Sequence, residues 1–261
     1  MNKLQEKAAA LLKEGTVKKI IGFEQGTNSV RPFFCEKPED AEKLIYSDDC
    51  KTNNAVYLTK KELIGSEKIA IVATYKELKS ILQLNKENQI NKELLMVLVV
   101  DKNGDVNELV TFEDIEKYCE ENVPETDPAI LAKMEEIDKM SREERWQYWK
   151  SELDKCIRCY ACRAACPLCY CNRCIVEVNC PQWLDPWKST LSNMEWQINR
   201  VMHMSGRCTG CGACAKACPL DLPIGILTKK MSTDIKEMLG TGEGGNVLST
   251  FNPNDKENFI H

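Results

Sequence analysis

The chain has 261 residues, enough for one large or two ordinary domains with their own cores. Its net charge of −5 at pH 7 offers no basic face for nucleic acid, and 43% hydrophobic against 29% charged residues excludes a disordered chain. No stretch approaches the ~20 apolar residues that span a bilayer.

The first residues, MNKLQEKAAALLKEG, mix Lys3, Glu6, Lys7, Lys13 and Glu14 with apolar positions. They predict an amphipathic helix and lack the features of a signal peptide. Val17–Phe23 reads as a strand, followed by a loop containing Gly26, Asn28 and Pro32. Ala55–Leu58 reads as a second short strand and Lys68–Ala73 as a buried one. Over Tyr75–Gln89, Leu78, Ile81, Leu82 and Leu84 recur at helical spacing. Leu94–Val100 is a continuous apolar strand closed by Asn103-Gly104, and Val106–Val110 is a candidate for one more. Thr111–Asp114 looks like a capped helix start. Strand, helix and apolar strand form a βαβ unit, so residues 1–123 are expected to be a small α/β domain with a partly parallel sheet. It has neither G-x-G-x-x-G nor a phosphate loop, which favours a docking or degenerate cofactor domain without flavin.

Pro124–Pro128 reads as a linker, and residues 124–155 as linker helices. Ile130, Leu131, Met134 and Ile137 share one helical face, and Ser141 with Glu144 forms a capping box. Trp146, Trp149 and Leu153 make a stripe, read as core packing, that leads into Cys156.

Residues 156–240 carry two copies of one pattern. The first is Cys156-x-x-Cys159-x-x-Cys162-x-x-x-Cys166-Pro167, and the second is Cys208-x-x-Cys211-x-x-Cys214-x-x-x-Cys218-Pro219. This is the ligand run of [4Fe–4S] sites, whose fourth cysteine serves the other cluster where there are two. The pairing expected is Cys156, Cys159, Cys162 and Cys218 on one cluster, with Cys208, Cys211, Cys214 and Cys166 on the second. A zinc array is the competing reading. Cys169, Cys171, Cys174 and Cys180 could hold a third cluster or a zinc, or be free buried thiols. Cys35, Cys50 and Cys119 are scattered and read as packing residues. His203 reads as a helix histidine with satisfied hydrogen bonds. Arg163, Arg173, Arg207 and Lys216 lie close to the cysteines in sequence, where cations favour a reduced cluster. This crowding of thiols at ligand spacing points to metal binding in a reducing cytoplasm rather than to disulfides.

In Ser189–Met204 the apolar residues Leu191, Met194, Ile198, Val201 and Met202 recur at helical spacing. Leu222–Leu227 opens another helix running to about Leu239. The fold class expected is therefore α+β, an α/β domain followed by an all-helical two-cluster ferredoxin domain. The tail, residues 241–261, is expected to be an extended arm.

With CIRCYACRAACPLCYCNRC (156–174), PQWLDP (181–186) and HMSGRCTGCGACAKACP (203–219), the chain resembles a known group of iron–sulfur proteins. These are related to the beta subunits of deazaflavin-reducing hydrogenase and formate dehydrogenase. The resemblance extends to CKTNNAVYL (50–58), Lys68–Gln89 and Leu94–Val100. It implies an electron-transfer subunit of a cytoplasmic redox complex in an anaerobe, with two [4Fe–4S] clusters. The partners it implies are flavoprotein, hydrogenase-like, formate-dehydrogenase-like or heterodisulfide-reductase-like subunits. Relatives tend to carry Cys-Asp-x-Arg where this chain has Thr74–Glu77, and a cysteine-bearing segment where it has Asp101–Gly104. The ligand those residues serve in relatives is expected to be missing here. No nucleophile–histidine or acid–base constellation is visible, so the cysteines read as ligands rather than catalysts. A flavin-dependent oxidoreductase that uses the α/β half, and an adaptor with structural clusters, are the alternatives.

Overall fold

The computed structural model describes residues 2–101, 103–174, 181, 184–185 and 187–239. The fold divides into two compact units. One comprises Met1–Pro124 with Ala165–Pro167, and the other the rest of the described chain.

The first unit is a five-stranded mixed sheet with helices. Helix α1 (Lys3–Lys13) starts in a capping box in which Asn2 and Gln5 satisfy each other's backbone amides. It buries Leu4, Ala8 and Leu11, which its 3.6-residue period places on one face. Strands β1 (Lys19–Gln25) and β2 (Val30–Cys35) form a hairpin, and β3 (Ile69–Val72), β4 (Leu95–Val100) and β5 (Val106–Leu109) follow. Their spatial order is β2-β1-β3-β4-β5. The pairs β1–β3 and β3–β4 are parallel, and the outer pairs are antiparallel. The central strand β3, parallel to both of its neighbours, is buried at every residue because both of its faces are covered.

Two expectations need correction. The segment around Pro32 is not a loop: Pro32 pairs with Phe23 in β2, an edge strand, where a missing N–H costs no ladder bond. Nor is Ala55–Leu58 a strand. It lies in a 3-10 turn, Asn54–Thr59, whose start is fixed by the Asn53 side chain accepting from the Ala55 amide at 3.1 Å. The Asn54 side chain donates to the Gly22 carbonyl at 2.9 Å, anchoring that turn to β1. The short helix α2 (Lys61–Ile64) follows. Helix α3 (Tyr75–Lys86) makes the crossover from β3 to β4, and α4 (Phe112–Glu121) begins at the capping box of Thr111 and Asp114.

Among its described residues the second unit is helical. Helix α5 (Pro128–Asp138) is capped by Asp127 and α6 (Arg142–Asp154) by Ser141, whose hydroxyl accepts from the Glu144 amide at 3.2 Å. Of the expected face on α5, Ile137 is buried and Leu131 exposed; of the expected packing stripe on α6, Leu153 is buried and Trp146 exposed. After α7 (Ala161–Ala164) come α8 (Thr190–His203), α9 (Ala213–Lys216) and α10 (Ile224–Leu239). This α/β region followed by a helical one is the fold class expected. Among the described residues no helix is long and apolar enough to cross a membrane. The expected arm at 241–261 lies outside the described residues.

Candidate metal centre

The two cysteine runs fold into two copies of one loop. The first joins α6 to α7 and the second joins α8 to α9, and in each a one-turn helix begins five residues after the leading cysteine. The backbone turns left-handed at the same two places in both. Arg158 (φ 54°) and Tyr160 (φ 58°) correspond to Gly210 (φ 70°) and Gly212 (φ 74°). Two left-handed residues two positions apart coil the backbone sharply in each loop, a turn that can present N–H groups to an anion. In the first loop the Arg158 amide donates to the Cys156 sulfur at 3.4 Å. The short helices α7 and α9 pack against each other, which brings the two loops together.

The thiols meet in the core of this unit. Cys156, Cys162 and Cys214 are buried there with Leu153, Leu184, Trp196, Leu222 and Ile224, and Cys174 and Cys218 pack against that group. Burial pushes the Cys162 thiol up to about 11, the charges of Cys214 and Cys156 add to the rise, and Arg200 opposes it. Binding of a metal by such a thiol therefore releases a proton. Cys159 is exposed, whereas Cys166, Cys208 and Cys211 are half-buried.

One face of α8 serves the first loop. Asn193, Trp196, Gln197 and Arg200 follow helical spacing and are all nearly inaccessible to solvent. Asn193 donates to the carbonyls of Asp154 (3.1 Å) and Cys156 (2.7 Å), closing the C-terminus of α6. The Gln197 amide lies 3.5 Å from the Cys156 sulfur, and Arg200 donates to the Cys162 carbonyl at 3.1 Å. The Trp196 and Tyr160 rings meet edge to face with centroids 4.9 Å apart. From the loop itself, the Arg158 guanidinium donates to the carbonyls of Asp185 and Trp187 and to the Tyr160 hydroxyl.

The periodicity over Ser189–Met204 marks this helix, Thr190–His203, but not the face it buries. Of its expected apolar stripe Met194 and Val201 are buried, but Leu191, Ile198 and Met202 are exposed. The polar set Asn193, Gln197 and Arg200 at i, i+4 and i+7 is the signal that could have revealed the inner face.

Among the described residues, no three Cys, His, Asp or Glu side chains converge as a single ion would require. A cubane cluster spreads its ligands over four irons. Buried thiols in two matching loops, with two N–H donors reaching the Cys156 sulfur, suit such a group. Trp196 also holds a buried indole N–H with no hydrogen-bond partner among the described residues.

The additional cysteines are dispersed. The Cys169 sulfur lies 3.9 Å from the Met204 sulfur, Cys171 is exposed with its carbonyl accepting from Arg163, and Cys174 belongs to the core of the first loop. Cys180 lies outside the described residues. Arg207 donates to the Leu168 carbonyl and the Tyr170 hydroxyl, tying the region after Cys166-Pro167 to the approach to the second loop. His203 is exposed, and its carbonyl accepts from Arg207.

In the α/β unit, Cys35, Cys50 and Cys119 are buried, and burial pushes the thiols of Cys35 and Cys119 up to about 11. Thr74 and Glu77 form the capping box of α3, and Asp101 accepts from the amides of Asn103 and Asp105 to close a turn. Both segments singled out as departures thus have local structural work.

Residues 148–219 match the 4Fe-4S dicluster domain family. The chain is 36% identical over 92 residues to the F420-dependent formate dehydrogenase subunit beta of Methanocaldococcus jannaschii, covering 35% of this chain and 24% of the relative. It is 27% identical over 96 residues to the F420-dependent formate dehydrogenase 1 subunit beta of Methanococcus maripaludis, covering 37% and 24%. The chain thus spans about a quarter of the length of these curated relatives. Its iron–sulfur domain is a partial homologue of such beta subunits, related at the level of family.

Proposed function

We propose that this chain is an electron-transfer subunit of a larger redox complex, carrying two [4Fe–4S] clusters. One would be held by Cys156, Cys159, Cys162 and Cys218, and the other by Cys208, Cys211, Cys214 and Cys166. The observation that carries this reading is the duplicated loop, with left-handed turns at matching positions and thiols from both copies in one core. Cys218 packs against the core that holds Cys156, Cys162 and Cys214, and the exchange of fourth ligands rests on the spacing of the two runs.

When bound, each cubane supplies a one-electron carrier. The chain's residues do the rest. The cysteines supply thiolates, the Arg158 amide and Gln197 direct N–H groups at the Cys156 sulfur, and Trp196, Tyr160 and Leu153 exclude water from the first site. Burial and hydrogen bonds of this kind set a cluster's potential. The partners proposed are flavin- or metal-bearing subunits of a formate-dehydrogenase-like or related complex, in a reducing compartment where free thiols persist. The α/β unit is proposed as the docking part, since the residues where relatives carry extra ligands are here engaged in a helix cap and a turn.

The test is anaerobic reduction of the iron-loaded chain with a reduced viologen. Rapid, reversible one-electron bleaching of both clusters is expected. Clusters that stay oxidised or fall apart on reduction would make them structural and the chain an adaptor.

A further inference from the structure

Gln197 is 1% exposed, in the middle of the α8 face that lines the first cysteine loop. Burying a primary amide is unfavourable unless its groups are paired. Its oxygen has no partner among the described residues, and its nitrogen points at sulfur, 3.5 Å from Cys156 Sγ. The neighbours on the same face have another task. Asn193 and Arg200 bond to the carbonyls of Cys156 and Cys162, fixing the loop's backbone and thereby the distance from the amide to the sulfur. A second donor, the Arg158 amide, reaches the same sulfur from within the loop.

We propose that Gln197 is a positioning residue that raises the reduction potential of the cluster on Cys156, by donating its side-chain N–H to that thiolate. This rests on the two-cluster reading above. A donor at a ligand sulfur stabilises the state with more negative charge, so it favours the reduced cluster. The step concerned is uptake of one electron from a reduced viologen, which loses one electron. No bond to carbon and no proton is involved.

The experiment is a potentiometric titration, followed by electron paramagnetic resonance, of the full iron-loaded chain and of its Gln197→Leu and Gln197→Glu variants. The wild type is read first. A chain without reducible clusters defeats the proposed function itself, whereas two reducible clusters leave that reading intact and open the test of Gln197. In Gln197→Leu one cluster is expected to titrate lower. Its reduced-to-oxidised ratio at fixed potential should fall about tenfold, about 59 mV for one electron. The other cluster should not move. Gln197→Glu, nearly isosteric, should lower the same cluster at least as far. The cluster that moves should be the one whose signal Cys156→Ser alters. Unchanged potentials in either fully loaded variant would overturn the proposal, as would a shift confined to the other cluster. Should both variants fail to bind iron, pulsed resonance on wild-type chain labelled with 15N in its glutamine side chains decides. A glutamine nitrogen coupled to one reduced cluster is expected, and its absence would overturn the assignment.

Discussion

In the loop from Cys208 to Cys214 the two left-handed positions are Gly210 and Gly212, while in the loop from Cys156 to Cys162 they are Arg158 and Tyr160. A side chain at such a position costs about 1–2 kcal/mol. The second loop can take its shape from its own residues. The first holds the same shape against local preference, through contacts made elsewhere: Arg158 clasps the carbonyls of Asp185 and Trp187, and Tyr160 lies on Trp196 of α8. Strain kept in place by surrounding structure is a feature of functional sites. Here it ties the first loop to the helix whose amide reaches its leading cysteine.

The largest expected effect tests whether the loops are separate sites. Cys156→Ser and Cys211→Ser should each lower bound iron from about eight to about four per chain, measured on anaerobically purified protein. Loss of all iron in either variant would mean that the sites assemble only as a unit. Next comes the clasp. Arg158→Ala should lower resistance to urea, followed through cluster absorbance, by about 2–4 kcal/mol, since hydrogen bonds from a charged group contribute about 1.5–3 kcal/mol each. Arg158→Gly should recover about 1–2 kcal/mol of that loss, which isolates the backbone strain. In the second loop Gly212→Ala should cost a similar 1–2 kcal/mol. An added Cβ there meets no protein atom within 4 Å, so within the protein the cost is conformational. Tyr160→Leu keeps the strain and removes the edge-to-face contact, about 0.5–1.5 kcal/mol, together with the hydroxyl that accepts from Arg158.

The sequence made some of this legible. Lys68–Ala73, Tyr75–Gln89 and Leu94–Val100 announce a βαβ unit because central parallel strands are apolar on both faces, and β3, α3 and β4 lie there. The cysteine spacing announces the two loops because ligand geometry fixes it. Other features depend on contacts distant in sequence. Pro32 hides β2 until the strand is known to lie at an edge. Ala55–Leu58 has strand composition but is held in a turn by Asn53 and Asn54. The exposed Leu191, Ile198 and Met202 drew attention from the polar face of α8, which is buried because the Cys156 loop offers it carbonyls and sulfur. Nothing in Arg158 or Tyr160 signals a left-handed backbone. Only comparison with Gly210 and Gly212, at the same steps of the repeat, could have suggested it.

The central claim is that both loops hold cubane clusters that carry electrons. It is tested most directly by iron and acid-labile sulfide per chain on anaerobically isolated protein, read beside low-temperature paramagnetic resonance of the reduced sample. About eight iron and eight sulfide, with two magnetically interacting one-electron centres, is the predicted result. Bound zinc, no labile sulfide and no signal on reduction would contradict it.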